Sequence, residues 1–223
     1  LTLPSSPEKP SSLSDGGVIV DGEEVAVNTE EARFLNNLAV LLDCGRPLEA
    51  SLKALREDTV EGGTDGRIVK AYDAMIDRVR TGGEFTDALG DYPELCSRAA
   101  LALLRAGRRS GMLEAVLPKA ARLVRASCEG EWDPGRRFLE WWAVMAEAGI
   151  ESRAALEVLA TDFARTPLGE VASGLAVALG AGKPLHEAAR AYPECFDASA
   201  RDLLYYGECR NLARALRAIC QLV

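Results

Sequence analysis

The sequence predicts an all-α chain of two tandem six-helix antiparallel bundles related by internal duplication, preceded by a short tail and a small β-hairpin. Three observations predict it: a helix-forming composition, apolar residues at helical spacing between Gly and Pro breaks, and the return of that pattern later in the chain. Of 223 residues, 48% are apolar and only 6% aromatic, and Ala, Leu, Arg and Glu dominate. That balance favours helices packed through small side chains over a sheet filled with β-branched ones.

The first stretch, Leu1 to Asp15, is rich in Ser and Pro with no hydrophobic period, the composition of an unpacked tail. Val18-Ile19-Val20 and Val25-Ala26-Val27 flank a turn-forming Asp21-Gly22, which predicts a hairpin. Asn28 with Glu31 has the form of a capping box, and Phe34, Leu35, Leu38, Leu41 and Leu42 then repeat at helical spacing. Gly45 ends that helix, and Pro47 is expected in the first turn of the next, whose stripe is Leu48, Leu52 and Leu55. Further helices are expected around Ile68 to Val79, Thr86 to Leu89, Leu95 to Leu104 and Met112 to Val124. Gly82-Gly83, Tyr92-Pro93 and Gly107 to Gly111 separate them.

The same order then recurs. Phe34, Leu35, Ala39, Val40, Gly45, Leu52 and Leu55 match Phe138, Leu139, Ala143, Val144, Gly149, Leu156 and Leu159, all 104 positions on. Gly82, Ala88, Tyr92, Pro93, Glu94, Leu103, Leu104 and Gly107 match Gly182, Ala188, Tyr192, Pro193, Glu194, Leu203, Leu204 and Gly207, 100 positions on. A loop four residues shorter in the second copy accounts for the change of offset. Asp133 and Pro134 suit an N-cap and a first helical residue, and the boundary between copies falls there. The expected division is 1–27 for tail and hairpin, 28–127 for the first bundle and 128–223 for the second. Trp132, Trp141 and Trp142 near the boundary are read as core and interface packing.

A net charge of −8 and a pI near 4.9 argue against nucleic acid and anionic lipid as partners, since both reward a basic surface. The six cysteines show no CxxC pairing and are read as reduced, mostly buried small hydrophobes. One histidine, His186, leaves no basis for a Cys/His zinc site. The longest apolar runs, Ala99 to Leu104 and Trp141 to Ala146, are six residues each, far short of the roughly 20 that cross a bilayer. Leu1-Thr2-Leu3-Pro4 lacks the features of a signal peptide.

The first copy carries an aromatic-led helix, a Gly-x-Pro-Leu restart, a Gly-led short helix, a Tyr-Pro and an Ala-Gly turn, as Phe34-Leu35, Gly45-Arg46-Pro47-Leu48, Gly82 to Leu89, Tyr92-Pro93 and Ala106 to Leu113, and the second repeats the Phe-Leu start, the glycines, the Gly-led short helix and the Tyr-Pro. This ordered set resembles the cytoplasmic domain of the type II secretion F protein and type IV pilus inner-membrane platform family, over nearly all of 34–124 and 138–223. The motif positions are Gly45, Pro47, Gly82, Pro93, Gly107 and Gly111 in the first copy, and Gly149, Gly182, Pro193, Gly207 and Glu208 in the second. The resemblance implies six-helix bundles with no catalytic residues and no cofactor. It also implies an assembly ATPase and neighbouring platform proteins as partners, at the cytoplasmic face of the inner membrane.

Two departures qualify it. The family's Gly-Glu turn is Gly207-Glu208 in the second copy but Gly107-Arg108 in the first, while the second has Arg210-Asn211-Leu212 where the first has Ser110-Gly111-Met112. With that Glu missing, the calcium that some family members hold at a dimer contact is not expected here. Family members also place membrane helices between their two cytoplasmic domains, whereas here a polar dozen residues joins the copies. The membrane is therefore expected only through partners or through segments outside this sequence.

Enzyme readings are weaker. Asp87 with Asp91 and Glu147 with Glu151 sit at helical spacing, where exposed carboxylates usually serve solvation. Gly62-Gly63 and Gly82-Gly83 lack the Lys and preceding strand of a phosphate loop, and His186 has no nucleophile in motif with it. The sequence leaves open a scaffold module of a secretion or pilus machine, a homodimer among its arrangements, and a soluble helical adaptor that reuses the fold.

Overall fold

The structure, a computed structural model, describes residues 17–20, 23–26, 29–63, 66–128 and 133–222. The expected Ser/Pro tail, Asn28 and Trp132 lie outside the described residues. Strands β1 (Gly17–Val20) and β2 (Glu23–Ala26) pair antiparallel with Val18 opposite Val25. All remaining regular structure among the described residues is helical. The first six helices are α1 (Thr29–Asp43), α2 (Leu48–Glu61), α3 (Gly66–Arg80), α4 (Phe85–Leu89), α5 (Arg98–Ser110) and α6 (Leu113–Cys128). Then come α7 (Pro134–Glu147), α8 (Ser152–Asp162), α9 (Pro167–Gly180), α10 (Leu185–Ala188, extended by a 3-10 turn over Ala189–Ala191), α11 (Ala198–Cys209) and α12 (Leu212–Cys220).

The helix ends follow local chemistry. α1 stops where Gly45 takes φ +76°, letting the Gly45 amide donate to Leu42 O (2.8 Å) and the Arg46 amide to Leu41 O (3.1 Å). That pair of bonds satisfies carbonyls the helix leaves open. α7 ends the same way at Gly149, also at φ +76°, with Ile150 donating to Met145 O at 3.0 Å. Pro47 sits one place earlier than expected, at the N-cap of α2 rather than inside its first turn. Asp133 caps α7 through the Arg136 amide at 3.0 Å, and Pro134 opens the helix without needing an N–H partner.

Two expectations are corrected. The sequence places a break at Gly107 and a helix start at Leu95; instead α5 starts after Ser97, whose hydroxyl accepts from the Ala100 amide, and runs through Gly107 to Ser110. Gly107 is there for contact: a Cβ would lie 3.2 Å from Leu113 Cα and 3.2 Å from Val116 Cβ, so its absence lets α6 approach α5. Gly207 does the same inside α11, where a Cβ would meet Ala215 Cβ at 2.6 Å. Among the cysteines, Cys96 and Cys220 are buried and Cys195 is half-buried, but Cys44 and Cys209 are exposed, so "mostly buried" does not hold. Both exposed residues lie at helix ends, Cys44 just after α1 and Cys209 as the last residue of α11.

In the first half α1 lies along α6, α2 along α3 and α5 along α6; in the second α7 lies along α12, α8 along α9 and α11 along α12. The halves meet where α5 packs on α7 and α8, and α6 on α7. One apolar core runs through both, including Phe34, Leu35 and Leu38 on α1 and Phe138, Trp141 and Trp142 on α7. Phe34 stands edge-on to Tyr72 at 5.9 Å, and Phe138 edge-on to Trp142 at 5.9 Å and to Phe163 at 5.5 Å. Each fully buried large side chain contributes roughly 1.5–3 kcal/mol by leaving water.

The close approach of α11 and α12 predicts that Gly207→Ala destabilises the chain. We expect about 1–2 kcal/mol net of the ~1 kcal/mol gained in helix propensity, read as a fall in Tm of roughly 2–8 °C by circular dichroism. Gly66→Ala enters open space at the start of α3 and should leave Tm unchanged or slightly raised; equal behaviour of the two variants would remove the packing role assigned to Gly207.

Candidate functional site

The residue after the buried glycine near the end of α5 and of α11 holds the preceding short helix, through side chains that differ between the halves. In the second half the Glu208 carboxylate accepts from the Leu185 amide (2.5 Å) and the His186 amide (3.2 Å), and lies 2.7 Å from His186 Nδ1. It thereby binds amides at the start of α10. His186 is stacked edge-on against Tyr205 at 4.9 Å, and Tyr205 against Tyr206 at 5.5 Å. In the first half Arg108 takes the place of the glutamate and reaches Glu84, the residue just before α4, with Nε–Oε2 2.8 Å. The Arg108 hydrogen bond holds the Glu84 carboxyl below its ordinary range. The polarity of the contact is reversed and its place is kept.

The remaining motif positions are turn positions. Gly45, Gly82, Gly111, Gly149 and Gly182 all have φ between +70° and +79°, which non-Gly residues reach only at a cost. Pro93 and Pro193 stand in the turns ahead of α5 and α11. At Asn211, where the second half lacks the glycine of Gly111, the chain is extended (φ −157°) and the Asn side chain caps α12 through the Arg214 amide at 2.9 Å. That substitution explains how the turn survives without its glycine.

A second constellation lies at the amino end of α5 and was not legible in the sequence. Glu31, only 4% exposed, accepts from the Ser97 amide and hydroxyl, both at 2.7 Å. The last residue of α8, Asp162, accepts from the Ala99 amide at 2.8 Å. Carboxylates from α1 and α8 thus meet at one helix start, where the dipole and free N–H groups favour negative charge. Burial nevertheless outweighs those bonds and pushes the Glu31 carboxyl up to about 7. Burial likewise raises Asp162 and drives the adjacent buried Cys96 thiol well above its usual range.

Glu147 at the end of α7 forms a third. It accepts from Lys119 of α6 at 2.8 Å and pairs with Arg217 of α12. Burial opposes its charge, but the two cations win and hold it below the ordinary range. The sequence reads Glu147 and Glu151 as solvating carboxylates; Glu147 is instead engaged in this cationic clasp between helices. Asp87 faces Arg78 at 3.9 Å, and Gly62-Gly63 form the turn after α2. Among the described residues no three His, Cys, Asp or Glu side chains converge as metal ligands would. The arrangement consists of turns, caps and inter-helix ion pairs, which position faces.

Two predictions follow from these contacts. The Glu31 carboxyl has a folded value near 7 against an ordinary 4.5, so between those values the folded state holds the proton more tightly and stability falls as pH rises. Glu31→Gln keeps an acceptor for Ser97 and should exceed the wild type at pH 8 by on the order of 1–3 kcal/mol, the gap closing near pH 5. Urea unfolding across pH 5–8 measures it, and a pH-independent gap would acquit Glu31. Glu147 acts with opposite sign, its contribution fading only as acid titrates its depressed carboxyl. Separately, Glu208→Ala should cost about 1 kcal/mol by releasing two amides, while Arg108→Ala, at an exposed pair, should cost about 0.5 kcal/mol or less.

Comparison with known proteins bears on what these faces serve. Residues 34–133, just under half the chain, match the family described as type II secretion system (T2SS), protein F. A curated type II secretion system protein F from Vibrio cholerae serotype O1 is 33% identical over 90 residues, covering 40% of this chain and 21% of that protein. The matched segment runs from Phe34 on α1 through α6 to Asp133, and so includes Gly107 and Arg108 near the end of α5.

Proposed function

We propose that this chain is a non-enzymatic scaffold of a type II secretion or type IV pilus machine. In this reading its bundles present helix faces to an assembly ATPase and to other inner-membrane components at the cytoplasmic side. The observation that carries it is the match of 34–133 to the secretion F family. A chain made of capped, packed helices, with its ionisable groups spent on helix ends and inter-helix pairs, suits a part that transmits force and makes contacts.

We further infer that the second half, 128–223, is a tandem copy of the first, 28–127. Supporting this are equal turn conformations at Gly45 and Gly149 and at Gly82 and Gly182, matching helix neighbours, and the buried glycines of α5 and α11. The motif glycines, prolines and Glu208 then serve as supports of the contact faces. A soluble adaptor is the second reading, favoured by one observation: only five residues separate α6 from α7.

Affinity capture with the chain as bait, against the purified hexameric assembly ATPase of the same organism, tests the choice. The scaffold reading expects a complex that survives gel filtration. No complex with such an ATPase, together with genomic neighbours unrelated to secretion or pili, would leave the adaptor reading.

A further inference from the structure

The cleft between α10 and α11 is open where the cleft between α4 and α5 is filled. In the first half Arg105 of α5 reaches over α4, its Nη2 donating to Thr86 O at 3.4 Å, and Leu101 is buried. Both press on Gly90, where a Cβ would lie 3.3 Å from Arg105 Nη2 and 3.4 Å from Leu101 Cδ2. One hundred positions on, Gly90, Leu101 and Arg105 become Arg190, Arg201 and Tyr205. With arginines in place of a glycine and a buried leucine, the second half has a cleft of about 390 Å³, lined by His186, Arg190, Ala198, Arg201, Asp202 and Tyr205.

The arginines of this cleft are largely uncommitted. Arg190 is exposed and forms no ion pair with any described residue. Arg201 donates from Nη1 to Phe196 O at 2.9 Å, and no carboxylate among the described residues pairs with it. His186, by contrast, is spent on Glu208. Beside the arginines, Tyr205 and Tyr206 are 48% and 65% exposed, yet ordered: they stand edge-on to each other at 5.5 Å, and Tyr205 is held on His186 at 4.9 Å. α11 packs chiefly on α10 and α12, whereas its counterpart α5 packs also on α7 and α8. One exposed tyrosine needs no explanation. Two arginines without acidic partners beside two ordered rings do, since tyrosine and arginine carry a large share of the binding energy at protein contacts.

We propose that the α10–α11 cleft docks a peptide segment of a partner protein that presents one carboxylate next to an aromatic or apolar side chain. The carboxylate engages Arg190 and Arg201, whose planar guanidinium groups match its two oxygens, and the neighbouring side chain lies against Tyr205 and Tyr206. Charge decides against a polyanion. Asp202 also lines the cleft, Glu208 stands behind His186, and the chain carries a net charge of −8. Nucleic acid or an anionic lipid surface therefore meets repulsion around the two arginines, while a single carboxylate answers them at short range. A small free anion gains nothing from the tyrosines. The comparison of clefts uses the tandem reading; the cleft and its arginines do not depend on it, nor on any secretion partner.

Synthetic peptide arrays probed with the purified chain test it. One array fixes a central Glu and varies the flanking positions through all residue types, a second fixes Gln instead, and the best binder is titrated by fluorescence anisotropy. Aromatic or apolar neighbours of the Glu should be selected, with a Kd of roughly 1–100 µM, and the Gln peptide should bind about tenfold more weakly. Arg190→Glu and Tyr206→Ala should each weaken binding by roughly tenfold or more, while Arg190→Lys keeps part of it; both side chains are exposed, so these variants should retain the wild-type Tm. No binder up to about 1 mM, equal binding of Glu and Gln peptides, binding indifferent to Arg190→Glu, or a preference for inorganic phosphate or phosphatidylglycerol vesicles over every peptide would each overturn the proposal. Failure of the ATPase capture would leave this result standing, since the assay contains only the chain and synthetic probes.

Discussion

The first turn of any helix exposes amides that no carbonyl of that helix can reach, and at α5 this constraint organises the molecule. α5 packs on two helices of the second half, α7 and α8. Its open amides are answered from both directions, by Ser97 held to Glu31 of α1 and by Asp162 at the end of α8. A helix start buried without such partners would cost more than the apolar contact around it gains. The carboxylates there tie the position of α8 to that of α1, and the continuous core can form only because that polar end is satisfied. Glu147 repeats the device at the other side of the contact, joining α6, α7 and α12.

The two halves solve the same local problems with different residues. The short helices α4 and α10 are both held from the turn that ends the following long helix, once by an arginine reaching a glutamate and once by a glutamate reaching backbone amides. The glycine that turns the chain after α5 gives way after α11 to an asparagine cap. Side chains at such places are exchangeable as long as the amides and carbonyls remain satisfied. Gly107 and Gly207 are both buried where the following helix packs closely against them.

Legibility from sequence follows range. Gly45, Gly149 and Asp133 could be read because a helix end is decided within about five residues, and their turn and cap chemistry is distinctive. Gly107 misled because a glycine looks alike whether it breaks a helix or admits a neighbouring one. Glu31 and Asp162 act on residues 66 and 63 positions away, and a carboxylate destined for such a site carries no local mark. Glu31 was legible only as a capping-box residue. Asp162 closes a helix whose other exposed polar residues face water.

The five residues between α6 and α7 have a thermodynamic consequence. A tether that spans at most about 18 Å keeps the two halves of the chain at an effective mutual concentration in the millimolar range. Closing the shared core across this link therefore costs little chain entropy. The shortness of this link relaxes the demand on the interface, leaving most of the outer helix surface free to evolve toward other molecules.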